Sequence, residues 1–157
     1  MTHAPRPDAL QLLLQREQQL CDEAQSELRR RDDGARRARE QHRQLLHYRA
    51  DYEARWSAQF HQGRTMDILM CYRSFMQRLE QALTMQSRQA ELAERQAAAA
   101  RQALLDCERR VAAVRKLIER RSAELAQAGR RRDQKLSDEQ AQRMRWSHTQ
   151  RDRLLPH

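Results

Sequence analysis

Glycine and proline are nearly missing from this chain, which has three of each among 157 residues. The prolines are Pro5, Pro7 and Pro156, so residues 8 to 155 contain nothing that removes a backbone N–H or forces a helix to stop. β-Branched residues are few and alternating apolar runs are absent, which excludes a sheet. Aromatics make up only 4% of the chain and charged residues 34%, so a globular core is hard to fill. No apolar run approaches the roughly 20 residues that cross a bilayer, and the N-terminus has no continuous apolar stretch of the signal-peptide kind. Cys21, Cys71 and Cys107 are widely spaced, with no C-x-x-C pair and no zinc-type cluster. They read as small apolar residues of a reduced compartment, and the chain as cytosolic.

Helix formers fill the rest: Gln, Arg, Ala, Glu and Leu dominate. The net charge of +9 is almost entirely arginine, because Lys116 and Lys135 are the only lysines. Such a surplus favours acidic partners, and it also solvates the outer faces of a narrow coiled coil.

Residues 1–7 read as a disordered arm and residues 8–61 as a first helix, with Asp8 as N-cap and Gln11 in capping-box position. Its apolar stripe runs Leu10, Leu13, Leu20, Ala24, Leu28, Ala35, Ala38, Leu45, Tyr52, Trp56. Glu17, Arg31, His42 and Arg49 interrupt that stripe, and the arginine-rich stretch around Gly34 is its weak point. Residues 62–66 read as a turn: Gly63 suits a left-handed C-cap, and Thr65 is placed to cap the next helix ahead of Asp67.

The second helix, expected over 67–145, is more regular. From Leu69 to Arg132 a stripe advances by alternating steps of three and four, through Leu79, Leu83, Ala97, Cys107, Val111 and Ile118. Only Gln86, Arg121 and Arg132 break its apolar character. A strict 3.5-residue repeat indicates a left-handed supercoil. The expected fold class is therefore all-α, a two-helix antiparallel coiled-coil hairpin. The first helix, about 54 residues or roughly 80 Å, leaves the second without a partner after about residue 120. This overhang carries Arg130, Arg131, Arg132 and Gly129 and reads as a lone or frayed helix, with residues 146–157 as a tail.

No phosphate loop, dinucleotide fingerprint, metalloprotease motif or nucleophile elbow occurs. The six histidines are scattered. The chain reads as a non-enzyme without cofactor or metal that works through surface contacts. The aromatics point to where: all but Trp146 lie between Tyr48 and Phe75, flanking the turn. Two stripes mirror each other there with the same four, three, four spacing: Gln41, Leu45, Tyr48, Tyr52 and Phe75, Leu79, Ala82, Gln86. Folded together they make a partly exposed apolar ridge, read equally as docking surface and as core.

At these residues the chain resembles the FliJ family of bacterial flagellar type III export. The resemblance rests on QLLHYRADYEARW, on YRSFMQRLEQAL after the turn, and on RRRDQKLSDEQAQR further on, and it covers most of residues 8–145. It implies a hairpin similar to the central shaft of rotary ATP synthases. It also implies a seat in the hexameric flagellar export ATPase, contact with the cytoplasmic domain of the export gate membrane protein, and binding of export chaperones. The protein would then be cytoplasmic, peripherally at the inner membrane at the flagellar base, with no direct membrane insertion. The family's gate-contact positions fall on Gln41, Leu45, Tyr48, Tyr52, Phe75, Leu79, Ala82 and Gln86; at the last the family often has His. By analogy with the shaft, Arg109, Arg110, Arg115, Lys116, Arg120 and Arg121, with Arg130, Arg131 and Arg132 beyond, are candidates for the ATPase ring. The equivalent stalk of a virulence injectisome is the nearest competing reading. A basic coiled-coil nucleic-acid binder is the more distant one: acids interleave with the arginines, and no uninterrupted basic region precedes a zipper, so no nucleic-acid partner is expected.

Overall fold

The computed structural model describes residues 7–63 and 65–153. Apart from Pro7, the expected N-terminal arm lies outside them. The chain is all-α, a hairpin of two helices packed against each other: α1 (Pro7–Phe60) and α2 (Met66–Arg153). α1 starts at Pro7 rather than after an Asp8 cap; a proline in the first turn has no N–H to leave unpaired, and its φ is already helical. The described residues fall into two compact units, one of residues 16–110 and one of residues 7–15 with 111–153.

In the unit Arg16–Arg110 the connection is short. Gly63 takes a φ of 68°, the left-handed conformation that stops α1, and its N–H donates to the Phe60 carbonyl at 3.4 Å. The Thr65 carbonyl accepts from the Leu69 N–H at 3.3 Å, the first bond of α2. The seam then runs through half-buried Tyr72 and Met76 and buried Leu79, Leu83, Ala97 and Cys107. Ala97 is 0% exposed and Ala35 1%, because alanines on both helices leave little room between the backbones.

One correction applies to α1. Leu20 is exposed, and the half-buried seam position is Cys21. The helix runs without a break through Gly34. Polar contacts support this arginine-rich stretch. Arg30 and Arg31 both bind Glu27, at 2.6 and 2.7 Å. Those hydrogen bonds, Arg30's first, hold the Glu27 carboxyl below its usual range. Across the hairpin, Arg31 donates to Gln96 at 2.9 Å, Arg101 meets Asp32 at 3.3 Å and Arg39 meets Glu94 at 3.5 Å. Exposed pairs of this kind contribute little individually. Their effect is to anchor the register where the apolar stripe is thin.

In the other unit Leu10, Val111 and Val114 are buried, with Leu14 and Ile118 half-buried. Leu13 is exposed; as at Cys21, the inward residue is the next one along. The α2 repeat expected to Arg132 is covered only as far as Arg121. From Ser122 to Arg153 every residue but Gly129 is exposed, among them Leu125, Leu136, Met144 and Trp146. The helix nevertheless continues to Arg153, through residues expected to form a tail. Strong helix formers carry it, and Arg151 and Arg153 suit its C-terminal dipole.

The three glycines separate these effects experimentally. A Cβ at Gly34 or Gly129 meets no atom within 4 Å. Gly34→Ala and Gly129→Ala should each stabilise the helix by about 0.5–1 kcal/mol, whereas Gly63→Ala should cost about 1–2 kcal/mol in its left-handed position. Urea denaturation followed by circular dichroism checks this; a destabilised Gly34→Ala protein would mean that the backbone there is not plain helix. Leu83→Ala, at a site 5% exposed, should cost about 2–4 kcal/mol. A loss below about 0.5 kcal/mol would place Leu83 outside the seam.

Candidate partner-docking surfaces

The aromatic end is built around Tyr52. It sits on the seam, half-buried, with four aromatic neighbours: Phe75 at 4.4 Å between ring centroids, Trp56 at 5.8 Å, Tyr72 at 6.0 Å and Tyr48 at 6.1 Å. Trp56 packs on Tyr72 at 5.0 Å and on Phe60 at 5.5 Å, and Phe60 meets the edge of Tyr72 at 5.4 Å. Offset and edge-to-face geometries are the favoured ones, each contributing about 0.5–1.5 kcal/mol beyond area burial. Trp56, Tyr72 and Phe60 therefore close the hairpin next to the turn.

The two mirrored stripes separate by exposure. Leu79 is buried; Leu45, Tyr52, Phe75 and Ala82 are half-buried; Gln41 is exposed. Tyr48 is 50% exposed and holds its ring against the edge of Phe75 at 6.5 Å. The packing on Phe75 and Tyr52 orients the Tyr48 ring while leaving half of it in solvent. A large, oriented, half-exposed aromatic suits a docking anchor, since little side-chain freedom remains to be lost on binding.

Gln86 differs from its neighbours. Its Oε1 is buried with no hydrogen-bond partner, a condition that costs about 1–3 kcal/mol. His42, on α1, is half-buried as well. On the surface beside it, His42, Leu46, Arg49, Leu83, Thr84 and Ser87 line a shallow groove. Leu46 and Met85 are exposed and apolar, as are Met66 and Met70 next to the turn. The stripe reading missed all four because they fall off the seam register. An apolar residue at an outward position was the available signal.

The cationic candidates fall into two groups. Arg110 is engaged within the hairpin: Nε lies 3.1 Å from Glu17 Oε2, and Nη2 donates to Cys107 Sγ at 3.0 Å. Glu17 is a seam residue whose side chain is 15% exposed, and Arg110 is what pairs it there. Arg109 reaches Asp106 at 3.8 Å. Arg121 is half-buried; Arg115, Lys116, Arg120, Arg130, Arg131 and Arg132 are exposed, and none of these seven makes an ion pair with a described residue. Arg131, Arg132 and Lys135 border a shallow groove with Glu124, Gln127 and Ala128 on the uncovered part of α2.

Among the described residues no helix is long and apolar enough to cross a membrane, and no group of three or more His, Cys, Asp or Glu side chains is placed to hold a metal ion. No curated protein and no solved structure matches the chain significantly. A family model described as Flagellar FliJ protein matches residues 6–150. That stretch contains the aromatic turn, the alanine seam and nearly all of the uncovered basic helix. The chain therefore belongs to the FliJ family of flagellar proteins.

Proposed function

We propose that this flagellar, export-related protein is the central stalk of the flagellar type III export ATPase complex, acting by contact rather than by chemistry. In this reading the uncovered basic part of α2 enters the hexameric ATPase and favours ring assembly and activity. The aromatic ridge binds the cytoplasmic domain of the export gate, and export chaperones are a further partner. The protein would then work peripherally at the inner membrane without inserting into it. The observation that carries the proposal is that the family match spans both chemistries, the half-exposed Tyr48–Phe75 ridge and the exposed Arg130–Arg132 run.

The reading has a physical rationale. A two-helix hairpin spends its apolar side chains on one narrow seam. What remains for partners is whatever lies on the flanks. Tyr48 and Phe75 offer apolar area to a gate surface. Arginines offer planar, multiply hydrogen-bonding cations to acidic side chains or backbone carbonyls of a ring.

Two experiments separate the ends. Tyr48→Ala combined with Phe75→Ala should weaken binding to the gate's cytoplasmic domain about tenfold or more, about 1.4 kcal/mol, while helicity and ATPase binding persist. Loss of helicity in that protein would make the residues core and remove the ridge from the proposal. Replacing Arg130, Arg131 and Arg132 with Ala should lower stimulation of the cognate export ATPase several-fold and leave gate binding intact; unchanged stimulation would count against the basic arm. In a pull-down at physiological salt the cognate ATPase should be retained. Retention of DNA without the ATPase would overturn the stalk reading.

A further inference from the structure

Two of the three thiols lie on the seam. Cys107 is 6% exposed and Cys21 half-buried, whereas Cys71 is exposed; all three are free. Cross-helix contacts set the register on both sides of the seam pair. Arg31 reaches Gln96 at 2.9 Å, and Arg110 reaches Glu17 at 3.1 Å. Glu17 stands one turn before Cys21 on α1, and Arg110 stands three residues after Cys107 on α2. The same guanidinium that binds Glu17 donates to Cys107 Sγ at 3.0 Å. This register sets Cys21 and Cys107 in facing positions, thiol beside thiol. Burial pushes the Cys21 thiol up, and the adjacent Cys107 thiol pushes it in the same direction. Half-buried Ala24 and Ala100 and buried Ala97 occupy the seam nearby, and their small side chains let the two backbones approach. A disulfide requires such an approach, with Cα atoms within about 7 Å.

We propose that Cys21 and Cys107 form a reversible intrachain disulfide that locks α1 to α2 when the protein meets a peroxide. Cys21, at the more open edge of the seam, meets the oxidant. Its thiolate attacks one oxygen of hydrogen peroxide, the O–O bond breaks, and the departing hydroxide leaves as water with the thiol's proton. Cys21 is now a sulfenic acid. Cys107 then attacks the Cys21 sulfur. The S–S bond forms, the S–O bond breaks, and the hydroxyl leaves as a second water with the Cys107 proton. Two thiols and one peroxide thus become one disulfide and two waters, with sulfur oxidised and peroxide oxygen reduced. Arg110 holds the attacking Cys107 sulfur in place through the first step. Burial, and next the neighbouring Cys107 thiol, disfavour the Cys21 thiolate, so that step is slow, and the pair responds to sustained rather than brief oxidation. The bond closes a loop of roughly 85 residues, long enough to restrict the unfolded chain strongly. It also fixes the hairpin register by a covalent link. The proposal does not depend on the stalk role.

The test uses the full chain carrying Cys71→Ser, which removes the exposed thiol and with it cross-linking between molecules. The protein is treated with excess hydrogen peroxide, alkylated, and examined by intact mass and peptide mapping. The expected result is a monomer lighter by two hydrogens that takes up no alkylating agent. It should yield a linked peptide pair carrying Cys21 and Cys107, and its thermal midpoint should rise by several degrees until dithiothreitol reverses it. Two alkylated thiols after treatment, conversion to sulfinic or sulfonic acid without linkage, or a disulfide only between molecules would each overturn the proposal. Cys21→Ala in the same background should keep native helicity and show no linkage. A peroxide-induced rise in thermal midpoint that persists in that variant would also overturn it.

Discussion

Everything in this protein depends on keeping one apolar seam in register through two long helices. An isolated helix gains little stability in water from propensity alone, and an amphipathic face has to be covered. Here the face is narrow: alanines, leucines and a few larger residues on α2, and a stripe on α1 that polar residues interrupt. The hairpin holds because those interruptions are answered locally. Glu17 is paired by Arg110, and Arg31 turns aside to Glu27 and Gln96. Arg49 reaches Glu80 at 2.7 Å. Gln86 is the place where this compensation is incomplete.

The functional chemistry follows from the same constraint. The seam takes up the apolar side chains between the helices, which leaves the flanks and ends for recognition. At the turn, aromatics are more than the seam needs, and Tyr48 stays half in solvent while its ring is held by Tyr52 and Phe75. Past Arg121 the opposite holds: α2 continues with no cover, and its side chains are mostly charged or amide. The first arrangement favours a partner that buries apolar area. The second favours one that offers carboxylates and carbonyls. Membership of the FliJ family gives both a context in flagellar export, and the proposed stalk role assigns a partner to each.

Much of this was legible in the residues, for identifiable reasons. The α2 seam could be followed from Leu69 because its alternation of three and four never slips, and Gly63 with Thr65 marked the turn. α1 was harder. Leu13 and Leu14 compete for one inward position, and so do Leu20 and Cys21. In both cases the earlier of the two is the exposed one, because the step from Leu10 is four rather than three. The arginine-rich stretch around Gly34 read as a weak point because cross-helix hydrogen bonds carry no sequence period. The end of α2 was placed too early, since helix propensity sustains it where the apolar stripe has faded. Of the candidate site, the stripes could be aligned from spacing, but which of their residues stays in solvent could not. That depends on how the Tyr52, Phe75 and Tyr72 rings tile against one another. The exposed Met66, Met70, Met85 and Leu46 escaped for the converse reason: residues off the seam have no pattern to join.

The claim that two chemistries serve two partners can be tested in one experiment inside the cell. A photo-crosslinking amino acid is placed at Tyr48 in one strain and at Arg131 in another, and the captured proteins are identified. The account predicts that position 48 captures the export gate's cytoplasmic domain and position 131 the export ATPase. Capture of the ATPase from position 48 and of the gate from position 131, or of neither from both, would contradict it.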